Sequence, residues 1–318
     1  MGGIGQLKCS GGQVTTSLSA CLWRAAARAV RIGRSRRYDP VEVERFIGDL
    51  SRATCRLVSR EYRQSSFTPR NLLRIPERTE ELFLDLTFYW SVGQVWREIL
   101  HRIELPQYGR VAEVGCGYVP KVACGLHYAG FAGTIELIDT DAEALSHAAR
   151  FLSLVGARCH ATTRRGALSE TPPARFDALF GNHLLDDLIL SSYCARRGVE
   201  VGPLYACEER YAAVWDEIVT DASLIDRVVP ALADTLVASV RPGGIVALLD
   251  YPSFTHRALR LTHVMSFVRQ VALRLRRALT DRGATSLELL QDPVTFDRLT
   301  VSGDDLVAFR CGGSDGEL

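Results

Sequence analysis

The segment Asp177–Leu188 (DALFGNHLLDDL) gathers several groups able to do chemistry. It closes an apolar run on Gly181-Asn182-His183 and sets Asp186 and Asp187 three and four residues further on. An imidazole whose ordinary pKa lies near neutrality can accept a proton at working pH. If the segment continues as a helix, one of the two carboxylates shares a face with His183 and orients its ring. The same spacing suits acids at the positive end of a helix, so both uses of Asp186 and Asp187 stay open. Tyr251, directly after Asp250, is a second group placed to hold a proton, and His256, Tyr89, Trp90 and Trp96 form a weaker set.

A second cluster is Glu113-Val114-Gly115-Cys116-Gly117-Tyr118, at a turn from strand to helix. Glycines there let backbone come close to a ligand, although a tight turn also wants them for itself. Pro120 stands where a dinucleotide-binding turn places its third glycine. A carboxylate at Glu113 suits a cationic ligand better than a pyrophosphate. Asp139 ends the next apolar run, 24 residues beyond Gly115. It is placed to accept both hydroxyls of a ribose. Asp also caps helices, but Thr140 or Asp141 can do that work, which leaves Asp139 for a ligand.

These residues need strands to end where they stand. Arg110–Val114, Thr134–Asp139, Arg158–Thr163, Phe176–Gly181 and Ile245–Leu249 read as strands, with Leu287–Leu290 and Asp305–Arg310 as two last ones. Val119–Tyr128, Asp141–Leu154 and Thr255–Asp281 read as helices between them. Alternation of this kind predicts a mainly parallel, doubly wound α/β sheet covered on both faces. Its ligands bind beyond the carboxyl ends of the strands. Residues 39–107 read as an all-helical module, and residues 1–38 as a flexible lead-in.

Taken together, and with the Arg241-Pro242-Gly243-Gly244 turn before Ile245, these motifs resemble the class I S-adenosylmethionine-dependent methyltransferase family. The resemblance covers roughly residues 108–255. It implies a Rossmann-like, seven-stranded, mostly parallel sheet over 108–318, S-adenosyl-L-methionine as cofactor, and the helical module as a lid. By it, Glu113, Gly115 and Gly117 hold the methionine part, Asp139 binds the ribose, and Asn182 and His183 flank the transferred methyl. Cys116 and Thr140 count as cofactor contacts beside them, and His183, Tyr251 and Asp186 as the catalytic set. Two features depart from the family pattern. Residues Thr162–Ala167 offer no acid to read the adenine amine, and about sixty residues separate Asn182 from Gly244. That excess, a helical insertion around residues 190–235 with Tyr193, Tyr205, Tyr211 and Trp215, serves as a cap, a dimer element or extra core.

Bulk properties narrow the acceptor. The net charge of +1 provides no global field toward nucleic acid or an anionic membrane. No run of about 18 apolar residues is present to span a bilayer. The nine cysteines contain no CxxC pair and fit no zinc spacing, so they read as reduced thiols and no metal is expected. Lysine occurs only at Lys8 and Lys121 among abundant arginine, a composition of GC-rich bacterial genomes. Ala20–Arg37 is basic and amphipathic, readable as a membrane-surface or transit-like helix or as a plain extension. The expectation is a cytoplasmic enzyme, with a homodimer as the partner form weighed, that methylates nitrogen or oxygen of a small molecule in bacterial specialised metabolism. An NAD(P)-dependent oxidoreductase, or a methyltransferase-like protein that only binds, is the alternative.

Overall fold

The computed structural model describes residues 92–117, 120–154, 157–201, 204, 207–252, 256, 259–296 and 299–312. The expected lead-in at 1–38, the helical module before residue 92, and Tyr89, Trp90 and Tyr205 lie outside the described residues. The first described helix, α1, covers residues 92–101. Then follow β1 (Arg110–Val114), α2 (Lys121–Tyr128), β2 (Thr134–Asp139), α3 (Ala142–Leu154), β3 (His160–Arg165) and β4 (Phe176–Asn182). Three helices, α4 (Leu184–Arg197), α5 (Glu208–Thr220) and α6 (Ala222–Ser239), lead to β5 (Val240–Leu249). The described elements close with α7 (Thr262–Thr280), β6 (Thr285–Ser286), β7 (Val294–Phe296), β8 (Leu299–Val301) and β9 (Leu306–Arg310).

Seven strands form one sheet in the order β3-β2-β1-β4-β5-β9-β6. The pairs from β3 to β5 are parallel, and β9 runs antiparallel to both of its neighbours. The sheet is therefore mostly parallel, and its strand order reverses between β1 and β4. That reversal opens a crevice past the carboxyl ends of β1 and β4, the place where such sheets bind ligands.

The strands are apolar on both sides because helices cover both. Val111, Ala178, Phe180, Ala247 and Leu249 face one core with residues of α1, α2 and α3. Ala112, Leu179, Val246 and Leu248 face the other, with α4 to α7. Adjacent residues of a strand point to opposite faces, so a run such as Ile245–Leu249 must be apolar throughout to serve both.

Two glycines set the spacing near the crevice. A Cβ at Gly125 of α2 would lie 2.6 Å from Trp96 Cβ and 3.1 Å from the Arg97 nitrogen. The bare backbone lets α1 lie directly on α2, with Trp96 fully buried between α1 and the sheet. A Cβ at Gly181 would sit 2.7–2.9 Å from Leu184 side-chain atoms, so glycine lets β4 turn sharply into α4.

The strand expectations need local corrections. The turn at Arg241–Gly244 is absorbed into a longer β5, with a register irregularity opposite Phe176/Ala178. Leu287–Leu290 contains no strand; the pairing falls on Thr285–Ser286, and Leu287 adds one amide bond to Ala308. The β7–β8 hairpin has no counterpart in the sequence reading.

Candidate functional site

The first wall of the crevice is the loop after β1. Gly115 and Gly117 both take positive φ, 63° and 58°, a region L side chains rarely enter. Open space surrounds the Cβ position of Gly117. The Gly117 amide donates to Asp139 Oδ2 at 2.9 Å, and the Asp141 amide to Asp139 Oδ1 at 3.0 Å. Asp139 thus clamps the glycine loop to the start of α3. The expectation that Thr140 or Asp141 would cap and leave Asp139 wholly free does not hold. Each carboxylate oxygen nevertheless carries two lone pairs, so Asp139, only partly buried, retains acceptor capacity. Thr140 is exposed next to it.

Glu113 does not open onto the crevice. It is 1% exposed and accepts the Val122 and Ala123 amides at 3.1 and 2.9 Å. It therefore ties β1 to the unsatisfied first turn of α2, where negative charge is favoured. Burial raises its pKa to about 7 against those amide bonds and the Lys121 charge. Cys116 is buried, and its thiol is pushed far above the ordinary range by burial and by the charges of Glu113 and Asp139. It stays a neutral packing group.

The second wall is the end of β4. His183 caps α4 in the left-handed conformation, φ 56° and ψ 45°, and its amide donates to Leu249 O at 2.9 Å. A non-glycine residue held there stores strain of about 1–3 kcal/mol, a cost that clusters at functional sites. His183 Nδ1 lies 3.5 Å from Asp186 Oδ2, and its ring meets the Tyr251 ring edge-on at 4.1 Å. Asp186 faces inward while Asp187 is exposed, which resolves the two carboxylates left open by the sequence.

Asn182 and Tyr251 are turned into the protein. Trp96 Nε1 donates to Asn182 Oδ1 at 3.0 Å, and Asn182 Nδ2 donates to the Tyr251 hydroxyl at 3.3 Å. Asn182 is 3% exposed and Tyr251 fully buried. Both therefore hold the backs of α1, β4 and β5 together behind His183, and contact between Asn182 and a ligand would need that network to open. Trp96, a member of the aromatic set that lies among the described residues, reaches this wall.

Asp250 completes the cluster. Its Oδ1 accepts the Leu185 amide at 3.1 Å, and its own amide donates to Asp305 O at 2.9 Å. Oδ2 is buried with no hydrogen-bond partner. Burial first, and then the Asp186 charge, push the Asp250 carboxyl well above its usual range. Burial alone would also raise Asp186, but the neighbouring His183 holds it below. His183, Asp186 and Asp250 each bring one potential ligand atom within 4.8 Å of the others, a grouping the sequence reading did not foresee. Asp250 lies 64 residues beyond Asp186 and 67 beyond His183 in the chain, which no short motif can reveal. His256 is buried nearby, with Nε2 3.4 Å from the Tyr211 hydroxyl and its ring edge-on to Trp215 at 5.9 Å. Burial lowers its pKa, so it stays neutral.

A carboxylate also reaches the end of β3. Glu170 accepts the Ala167 amide at 3.1 Å and lies against the Cβ position of Gly166. The sequence reading missed it because a short 3-10 turn, Leu168–Glu170, folds it back from beyond the strand.

No protein-family model matches the chain, and no curated protein matches it in sequence. The solved structures it matches are mostly class I S-adenosylmethionine-dependent methyltransferases. Geranyl diphosphate C-methyltransferase from Streptomyces coelicolor A3(2), solved with Mg2+, geranyl diphosphate and S-adenosyl-L-homocysteine, is 9% identical over 76% of this chain and 87% of its own, with a TM-score of 0.42. A methyltransferase from Pyrococcus furiosus is 14% identical over 69% of this chain and 83% of its own, at 0.37. A protein from Bordetella parapertussis described as a possible exported protein is 16% identical over 97% of this chain and 100% of its own, at 0.39. Such likenesses say nothing of what this chain binds. In its own sheet order and flanking helices, the chain has a Rossmann-like α/β fold.

Proposed function

We propose that the chain transfers a methyl group from S-adenosyl-L-methionine to a nitrogen or oxygen of a small molecule. The observation that carries this reading is the Gly117–Asp139 clamp in the loop after β1, with His183 at the end of the neighbouring strand β4 where the sheet order reverses. The open space at Gly117 and the lone pairs left on Asp139 fit a nucleoside laid over the loop, its ribose hydroxyls on the carboxylate. On this reading the adenine lies by Glu170 and the backbone after β3.

When bound, S-adenosyl-L-methionine supplies an electrophilic methyl on a good leaving thioether, so what remains for the chain is alignment and proton removal. His183 Nε2 is buried without a hydrogen-bond partner, and on this reading it takes the acceptor's proton once the bound acceptor reaches it. Asp186 beside Nδ1 steadies the imidazolium that results. The edge-on Tyr251 ring and the strained backbone fix where the imidazole points. Glu113 and Asn182 act as positioning residues, the first for the glycine loop and the second for the β4 wall.

Among the described residues no helix is long and apolar enough to cross a membrane. A cytoplasmic, small-molecule enzyme of bacterial specialised metabolism fits that and the near-neutral charge. Titration calorimetry with S-adenosyl-L-methionine and with NAD tests the cofactor, and methyl turnover against amines, phenols and acids tests the reaction. Binding of NAD in place of S-adenosyl-L-methionine would overturn the reading.

A further inference from the structure

We propose that His183, Asp186 and Asp250 form a site for one divalent transition-metal cation, of the Mn2+ or Zn2+ class, between the ends of β4 and β5. One potential ligand atom from each lies within 4.8 Å of the other two. A cation with bonds of about 2.0–2.2 Å holds adjacent ligand atoms about 3 Å apart, so small side-chain rotations close the set. Each carboxylate is already aimed. The Leu185 amide fixes Asp250 Oδ1, and the Asp187 amide fixes Asp186 Oδ1. Backbone bonds that orient one oxygen and release the other are what metal-binding carboxylates require of their surroundings.

The released atoms are the independent sign of a ligand. Asp250 is 5% exposed, and its Oδ2 has no hydrogen-bond partner; His183 Nε2 has none either, and Nδ1 has only the 3.5 Å approach of Asp186 Oδ2. Buried polar atoms left unpaired are costly and uncommon. Asp186 and Asp250 would repel each other if both were ionised, and a dication bound between them would cancel that repulsion charge for charge. The imidazole among the ligands suits Zn2+ or Fe2+, and the two carboxylates suit Mn2+ as well. The left-handed backbone at His183 and the close fit at Gly181 hold the histidine where the carboxylates can share an ion with it.

Three protein ligands leave at least one coordination position for an oxygen of the acceptor. The fitting acceptor is a hydroxy acid or a vicinal diol, whose proton the cation makes easier to remove. With the ion in place this lowered pKa takes over part of the work of His183, one of whose nitrogens is then a ligand. Only this consequence rests on the methyl-transfer reading; the cation site does not.

The test uses the full chain, freed of metal by chelation and titrated with Mn2+ under electron paramagnetic resonance, with Zn2+ as competitor. The expected result is one Mn2+ per chain, displaced by Zn2+, with at least tenfold weaker binding in both Asp250→Asn and His183→Gln. Asp226→Asn, which removes an exposed carboxylate paired with Arg274, should bind as the parent does. Circular dichroism melting of each variant separates a lost site from a lost fold. No saturable Mn2+ binding, or equal binding in a folded Asp250→Asn, would overturn the proposal. Separate calorimetry with S-adenosyl-L-methionine shows whether the methyl-donor reading stands or falls on its own.

Discussion

At His183, three demands meet on one residue. It ends a strand, begins a helix and turns its ring toward two carboxylates. His183→Ala should lower methyl turnover by about 10²–10⁴-fold with S-adenosyl-L-methionine affinity changed less than threefold; loss of both together would assign it to the cofactor. Asp139→Ala should weaken that affinity at least tenfold in calorimetry, since it frees the Gly117 loop and, on the proposed reading, removes the ribose acceptor. Glu113 gives a pH signature. Its folded pKa of about 7 lies above the ordinary value of 4.5, so the folded state holds more protons between those values. Its contribution is complete below about pH 4.5 and is lost as pH rises through about 7. Urea midpoints at pH 5 and pH 8 should therefore differ less in Glu113→Gln than in the parent. These residues were visible in the sequence as positions at strand ends. Their partners were not, because spacing does not say which amide a carboxylate satisfies, and both Glu113 and Asp139 took helix-start amides first.

The elements were the more legible level. β1 and β2 match the sequence reading residue for residue, and β4 differs by one residue, because a strand buried on two faces leaves an unbroken apolar run. β7 and β8, three residues each, are too short to leave a pattern. The α1–α2 contact was also unreadable, since Gly125 signals nothing until Trp96 lies against it. Alanine there would gain about 1 kcal/mol of helix propensity. It would also push on backbone as well as on Trp96, and overpacking of that kind costs about 1–3 kcal/mol. Gly125→Ala should thus lower the urea midpoint, and the displaced Trp96 should loosen Asn182 and reduce turnover with it. An unchanged midpoint would show that α1 can slide without cost.

Over the whole molecule, binding and stability are one measurement. A ligand at a hundred times its dissociation constant stabilises the folded state by about 2.7 kcal/mol. S-adenosyl-L-methionine should raise the melting temperature of the full chain, and the same concentration should do little for Asp139→Ala. A shift of equal size in that variant would place the ligand elsewhere. Doubly wound topology was legible from the alternation of strands and helices, and the side on which the site lies followed from it. The late strand β9, inserted between β5 and β6, was legible as a strand but not in its place.

That insertion sets an order of events during synthesis. β5 is complete at Leu249, yet the strand that covers its outer edge begins only at Leu306. Until the residues of β9 leave the ribosome, the nascent sheet carries a long apolar edge with unpaired amides, a template for joining another chain. The arrival of β9 closes that edge, and the carbonyl of Asp305 then takes the Asp250 amide. The chain's aggregation risk and the readiness of its crevice thus end in the same late step.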